Sequence, residues 1–260
     1  MKAYELIRWL EEKHPPKAAE EWDNVGLLAG NDEKEITNVF LALDLTEDVL
    51  AQAMKAGADM IITHHPMIFS GIKKINNHTS IGRRLLTLMK NEIPYYAMHT
   101  NYDIFGMADL SAARLGLTEM KVLSVTEEEE DSAAGFGRVG KLPCSMTLAQ
   151  CARHVKECNC LSDVRLYGNP LTQVEIAAVC TGSGKSMIKD AIKAGAQVYI
   201  TGDIDYHTAI DAAAEGLALI DAGHYGTEYI FAEDMKKELE AAFSELTISC
   251  AAVKNPYIVF

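Results

Sequence analysis

A chain of 260 residues with 37 acidic and 24 basic side chains carries a net charge of −13. That charge repels a nucleic-acid backbone or an anionic membrane surface unless basic residues are gathered into a patch, and no such patch shows. Hydrophobic residues make up 48% of the chain, an ordinary globular composition that excludes disorder and leaves room for one domain or two.

The six cysteines, Cys144, Cys151, Cys158, Cys160, Cys180 and Cys250, sit in apolar or helical contexts and do not form a disulfide framework in a chain this long, so a reducing cytoplasm is expected. Cys158-x-Cys160 lacks the second pair that would make a strong zinc motif. The opening "MKAYELIRWLEEKHPP" reads as an amphipathic helix stopped by two prolines, without the apolar core of a signal peptide. No stretch approaches the length of a membrane span. Trp22-Asp23-Asn24, in "AEEWDNVGL", is polar beside apolar residues and reads either as a cap and turn or as part of a site wall.

From here the chain repeats itself. "ALDLTEDVLAQAMKAGADMIITHH" (42–65) lies without a gap on "CTGSGKSMIKDAIKAGAQVYITGD" (180–203). In both, a short apolar strand leads through a turn into a helix, then through Ala-Gly-Ala into a second buried strand, the unit from which parallel sheets are built. Farther along, "PYYAMHTNYD" and "LALIDAGHYGTE" place His99-x-x-x-Asp103 against His224-x-x-x-Glu228. The expected fold class is therefore α/β, two similar lobes from an internal repeat. The acidic run "TEEEED" (126–131) reads as a solvated connection, which puts the first lobe at 1–125 and the second at 126–260. The second opens on a strand, "GFGRVGKL", and a helix started by the capping pair Thr147 and Gln150. The closing strand "LTISCAAV" suits either lobe.

The alignment also explains "AVCTGSGKS" (178–186). It ends in the Gly-Lys-Ser of a P-loop, but the glycine needed five positions before the Gly-Lys pair is replaced by Val179. The Thr181–Ser186 stretch is a strand-to-helix turn first, with amides that suit an anion as helix N-termini do.

The strongest chemical signal is "MIITHHPMIF", two histidines directly after an apolar strand, at the edge where open α/β sheets bind ligands. Pro66 biases His65 away from helical geometry, so the two side chains are expected to diverge and serve two ions. Asp103, His224 and Glu228 also follow apolar strands and are expected at the same sheet edge, with His99 a sixth candidate. Five or more nitrogen and oxygen ligands exceed the four of a closed structural zinc site and suit two metal ions with positions open to water. Zinc, iron, manganese and nickel all fit such donors. His207 and Asp203, in "TGDIDYH", reach the same edge and suit supporting partners or an acid or base. His14, His78 and His154 are expected to be hydrogen-bonded core or surface residues.

"AEEWDNVGL", "ITHHPMIF", "MHTNYD", "GRVG", "TGDIDYH" and "DAGHYGTE" follow one another over nearly the whole chain. In that order they resemble the NIF-three-like family, also called type-two GTP cyclohydrolase I homologues. The resemblance implies two α/β lobes with a di-metal site in the cleft between them, ligands His64, His65, Asp103, His224 and Glu228, and a homohexameric ring. Some members carry an extra domain in the middle, for which this chain has no room. The activity it implies is opening of the purine ring of GTP with formate release, with His99 or His207 moving protons. Two alternatives stay open on the residues alone: a metal-dependent nucleotide phosphoesterase, and a non-catalytic metal-binding regulatory protein.

Overall fold

The computed structural model describes residues 1–129, 132–252 and 255–259. The chain forms two compact units, Met1–Tyr102 with Tyr229–Lys254, and Asp103–Glu228 with Asn255–Phe260.

The first unit is built on a five-stranded sheet in the order β1-β4-β3-β2-β11. β2 (Asn38–Ala42), β3 (Met60–Thr63), β4 (Tyr95–Ala97) and β11 (Thr247–Cys250) run parallel, and β1 (Gly26–Ala29) pairs antiparallel on the edge. Every residue of β3 and β4 is buried, as expected where helices cover both faces of a parallel sheet. Helix α1 (Ala3–Lys13) buries Ala3, Leu6, Ile7 and Leu10 at helical spacing and stops two residues before Pro15. The crossovers are α2 (Glu47–Lys55), capped by the Thr46 hydroxyl, and α3 (Ser80–Lys90), capped by Thr79. A core of Phe40, Leu50, Ile61, Leu85, Leu88 and Tyr95 fills one face. A single turn, α4 (Thr100–Tyr102), ends the first pass of the chain through this unit.

The second unit carries a six-stranded sheet in the order β5-β6-β8-β9-β10-β7. Its centre is parallel: β8 (Gln173–Val179), β9 (Val198–Thr201) and β10 (Ala218–Asp221), joined through α7 (Ile188–Lys193) and α8 (Tyr206–Ala214). β7 (Arg165–Tyr167) pairs antiparallel with β10, and β6 (Ser132–Thr147) with β8. Leu142, Leu148, Val155, Val179, Val198 and Ile220 form the core on one side, Val139, Tyr199, Ala209 and Leu219 on the other. Asp103–Met107 is a π-helical turn leading into α5 (Ala108–Arg114). α6 (Leu148–Cys158) starts on the capping box read in the sequence, Thr147 accepting from the Gln150 amide while the Thr147 amide donates to Gln150 Oε1 at 2.8 Å.

The units do not divide the chain where composition suggests. Position 125/126 falls inside β5 (Thr118–Glu129), which pairs along its length with β6. The described part of the acidic run is thus hairpin strand; Glu130 and Asp131 lie outside the described residues. Charge runs resemble linkers because both are solvated, and only strand pairing tells them apart. α9 (His224–Glu228) is the last element of the second unit. α10 (Ile230–Ala242) and β11 then return to the first, where β11 pairs with β2.

The two stretches aligned in sequence stop their helices alike. Ala58 N donates to Ala53 O and Gly57 N to Met54 O after α2, while Ala196 N donates to Ala191 O and Gly195 N to Ile192 O after α7.

Candidate metal centre

Adjacent parallel strands of the first unit end on the residues of interest. β3 runs directly into His64 and His65, β4 into Met98 and His99, and β2 is followed by Asp44. The ligand nitrogens of His64, His65 and His99 all lie within 4.8 Å of one another. The His64 and His65 rings do not diverge as expected from the sequence: their centroids are 5.0 Å apart. The chain bends as it leaves β3, so strand alternation no longer separates neighbours. The bend is pinned by the His65 carbonyl, which accepts from the Thr63 hydroxyl at 2.8 Å and the Tyr95 hydroxyl at 3.1 Å.

Each imidazole is fixed through Nδ1. His64, fully buried, places Nδ1 3.0 Å from the Met98 carbonyl. His65 Nδ1 is 2.8 Å from Asp44 Oδ1, and His99 Nδ1 is 2.9 Å from Asp23 Oδ1. A carbonyl only accepts, and so does an ionised carboxylate, so in each pair Nδ1 is the donor, which leaves Nε2 as the nitrogen whose lone pair a neutral ring would offer to a metal. Asp23 also accepts from the Thr100 amide at 3.0 Å and the Thr100 hydroxyl at 2.5 Å. Burial alone would raise its carboxyl; donation from His99 and Thr100 outweighs that and holds it at about 2.

In the second unit the parallel strands end in the same manner. β8 leads to Cys180–Gly182, β9 to Asp203, and β10 to His224. The second group of candidate ligands therefore stands on a sheet of its own, not on one shared edge. His224 and Glu228, four apart on α9, approach to 3.0 Å between Nε2 and Oε2. The opposite nitrogen, Nδ1, is 2.8 Å from Asp203 Oδ2. Carboxylate oxygens of Asp103 and Glu228 lie within 4.8 Å of each other. Burial, then the charges of Asp103 and Glu228, push the Cys180 thiol up to about 12, leaving an uncharged group against two carboxylates.

The glycine-rich turn has its explanation here. Gly182 has φ +61°, and a Cβ added to it would meet Glu228 Oε1; glycine is what lets the backbone pass this carboxylate. The Gly182 and Gly184 amides, which a phosphate would need, donate to the hydroxyls of Thr227 at 2.9 Å and Thr201 at 3.0 Å.

His207 is not brought to this group. It is exposed on the first turn of α8, its ring against Tyr206. His154 Nε2 donates to the Leu115 carbonyl at 2.9 Å, and His78 is exposed. His14 departs from expectation: it is buried, yet neither ring nitrogen has a hydrogen-bond partner among the described residues. Cys158 faces His154 of its own helix at 3.7 Å. The sequence reading missed Asp44 altogether and left Asp23 undecided between turn and wall; the one local hint was that each is an acid beside a turn.

A family model described as Duf34/NIF3 (NGG1p interacting factor 3) matches residues 1–256. The chain belongs to this family. Among curated relatives of the family, it is 37% identical over 231 residues to the GTP cyclohydrolase 1 type 2 homolog of Clostridium perfringens, covering 88% of this chain and 87% of the relative. It is 38% identical over 242 residues to the protein of the same name from Streptococcus pneumoniae, covering 90% and 88%. Among solved structures, the Bacillus cereus protein related to NIF3 superposes with a TM-score of 0.92 at 26% identity, covering 100% of this chain and 99% of that one. Reduced HcgD from Methanocaldococcus jannaschii gives 0.80 at 32%, covering 96% and 97%. Among the described residues no helix is long and apolar enough to cross a membrane.

Proposed function

We propose that this Duf34/NIF3 protein is a di-metal-dependent hydrolase that opens the purine ring of GTP with release of formate. In this reading His64, His65, Asp103, His224 and Glu228 are the ligands of two divalent ions. The observation that carries it is the common state of the histidines: His64, His65, His99 and His224 each have Nδ1 against an acceptor, the arrangement that orients Nε2 toward a metal and raises its basicity. The chain passes from one unit to the other at Tyr102–Asp103 and back at Glu228–Tyr229, so two of the five ligands stand at the connections themselves.

The donors fit zinc, iron, manganese or nickel, being imidazole and carboxylate without thiolate. Bound ions would supply Lewis acidity, lowering the pKa of water and polarising the substrate. The chain's own residues do the rest. Asp44 and Asp203 hold the His65 and His224 rings in orientation. Asp23, kept ionised, accepts from His99 Nδ1 and holds the ring, leaving Nε2 as the nitrogen that would exchange a proton with the substrate. The names of the relatives support the substrate, and a hexameric ring is proposed as the assembly on the family resemblance alone.

The test is formate release from GTP by protein reconstituted separately with zinc, iron, manganese and nickel, with His65→Ala as control. Formate that requires both metal and His65 is expected. Inorganic phosphate in its place would replace this reading by a phosphoesterase. Neither product from fully loaded protein would leave a metal-binding regulatory protein.

A further inference from the structure

Beside the histidines of the first unit stand two large apolar rings that the core does not use. Trp22 is 56% exposed and Phe69 54% exposed. Their centroids are 5.6 Å apart with planes inclined by 35°, and both rings meet His99, at 5.9 Å and 6.2 Å. Other exposed apolar side chains such as Leu171 stand elsewhere on the surface and are unremarked features of any soluble protein.

The pair is held in place although it is solvated. Asp23, next to Trp22, is anchored to His99 and Thr100. Asn24 donates from Nδ2 to the carbonyl of Ile68, the neighbour of Phe69, at 2.6 Å. The Glu20 amide donates to the Thr100 hydroxyl at 2.9 Å. The two turns that carry the rings are thus tied to each other and to the His99 turn, so the aromatic surface exists before anything binds, and little ordering entropy is left for a ligand to meet. Exposed, preorganised aromatic surface beside convergent polar groups marks a ligand site.

We propose that Trp22 and Phe69 form a stacking platform for the planar heteroaromatic ring of the substrate, a purine or a ring of similar size, and deliver it edge-on to His99. This rests on the hydrolase reading for the identity of the chemistry, though not for the binding itself. A ring between two others needs about 7 Å between their faces; at 5.6 Å there is no such slot. The ligand therefore lies on the outer face of the tilted pair. Any base offers a π-face, so the platform selects flatness, and the metal ligands and His99 select which edge reacts.

The chain has two tryptophans, and Trp9 is packed against Phe243 at 5.4 Å with the Lys13 ammonium 4.5 Å from its ring. In a Trp9→Phe background Trp22 is the sole indole reporter. Its emission is titrated with GMP and, separately, with ribose 5-phosphate, which shares the sugar phosphate and lacks the base. Expected are saturable quenching by GMP, none by ribose 5-phosphate, and a Kd for GMP raised about tenfold by Phe69→Ala with metal content unchanged. Quenching by both ligands alike, no quenching by GMP at millimolar concentration, or no effect of Phe69→Ala overturns the platform. So does a change of oligomeric state in Phe69→Ala without GMP quenching, which would mean that a second copy of the chain covers the rings. Saturable quenching without formate release supports the platform while removing the hydrolase reading. Formate release with a KM unmoved by Phe69→Ala removes the platform alone.

Discussion

Replacing Asp23 by Asn should unmask how much of the first unit's stability rests on one buried carboxylate. The Asp23 side chain has no solvent exposure, and its proton affinity is lowered from 3.8 to about 2 by the donors around it. Roughly two pKa units at about 1.4 kcal/mol each correspond to about 2.5 kcal/mol. The native state binds this proton more weakly than the unfolded chain does. Its contribution is therefore full above about pH 5 and is lost as the pH falls through about 4 to about 2. Asn keeps an acceptor for one Thr100 donor but presents an amide to another, so Asp23→Asn should cost about 2 kcal/mol at pH 7. The assay is urea unfolding of metal-free protein followed by tryptophan emission; Trp9 and Trp22 both lie in the first unit, so the signal reports that unit. The gap between wild type and variant should narrow steadily between pH 5 and pH 3. A variant as stable as wild type at pH 7, or a gap that stays constant down to pH 3, would refute the reasoning.

His14 gives the opposite chemistry with the same sense of pH. Burial first, then the Lys13 charge, lowers its pKa from 6.5 to about 4 against a smaller pull from Asp234. The folded state holds it neutral while the unfolded chain takes up a proton below 6.5, so stability present above 6.5 is lost as the pH falls to 4, about 3 kcal/mol in all. His14→Phe, of similar volume and packed on Tyr102 as His14 is at 4.9 Å, should lose less stability between pH 7 and pH 4.5 in urea midpoints; identical losses would contradict this. Gly182→Ala places a methyl against Glu228 at a left-handed φ and should cost about 1–2 kcal/mol together with bound metal, measured as metal per chain by elemental analysis. A fully loaded variant would show that Glu228 is not a ligand.

The nature of the elements was open to inspection in the sequence because it depends on neighbours. Apolar runs of four to seven residues gave β3, β8 and β9; Thr147 and Gln150 marked the start of α6; Pro15 marked the end of α1. Candidate ligands were legible for the same local reason, since His64, His65, His224 and Glu228 directly follow strands or sit one helical turn apart. What composition misread was connection: a charge run and a hairpin end look alike until Thr118–Glu129 is paired with its partner strand.

Tertiary structure alone decided the partners. Asp23 reaches His99 across 76 residues and Asp44 reaches His65 across 21, and no periodicity relates such positions. It also decided what the glycines of "TGSGKS" are for. In sequence they resembled a cradle for phosphate; in the fold their amides are taken by Thr227 and Thr201, and Gly182 makes room for Glu228. Period, caps and turns belong to a few consecutive residues, so the chain specifies them by itself. The protonation and orientation of a histidine belong to whatever acceptor the fold sets beside it, and that acceptor is chosen by the packing of the whole unit.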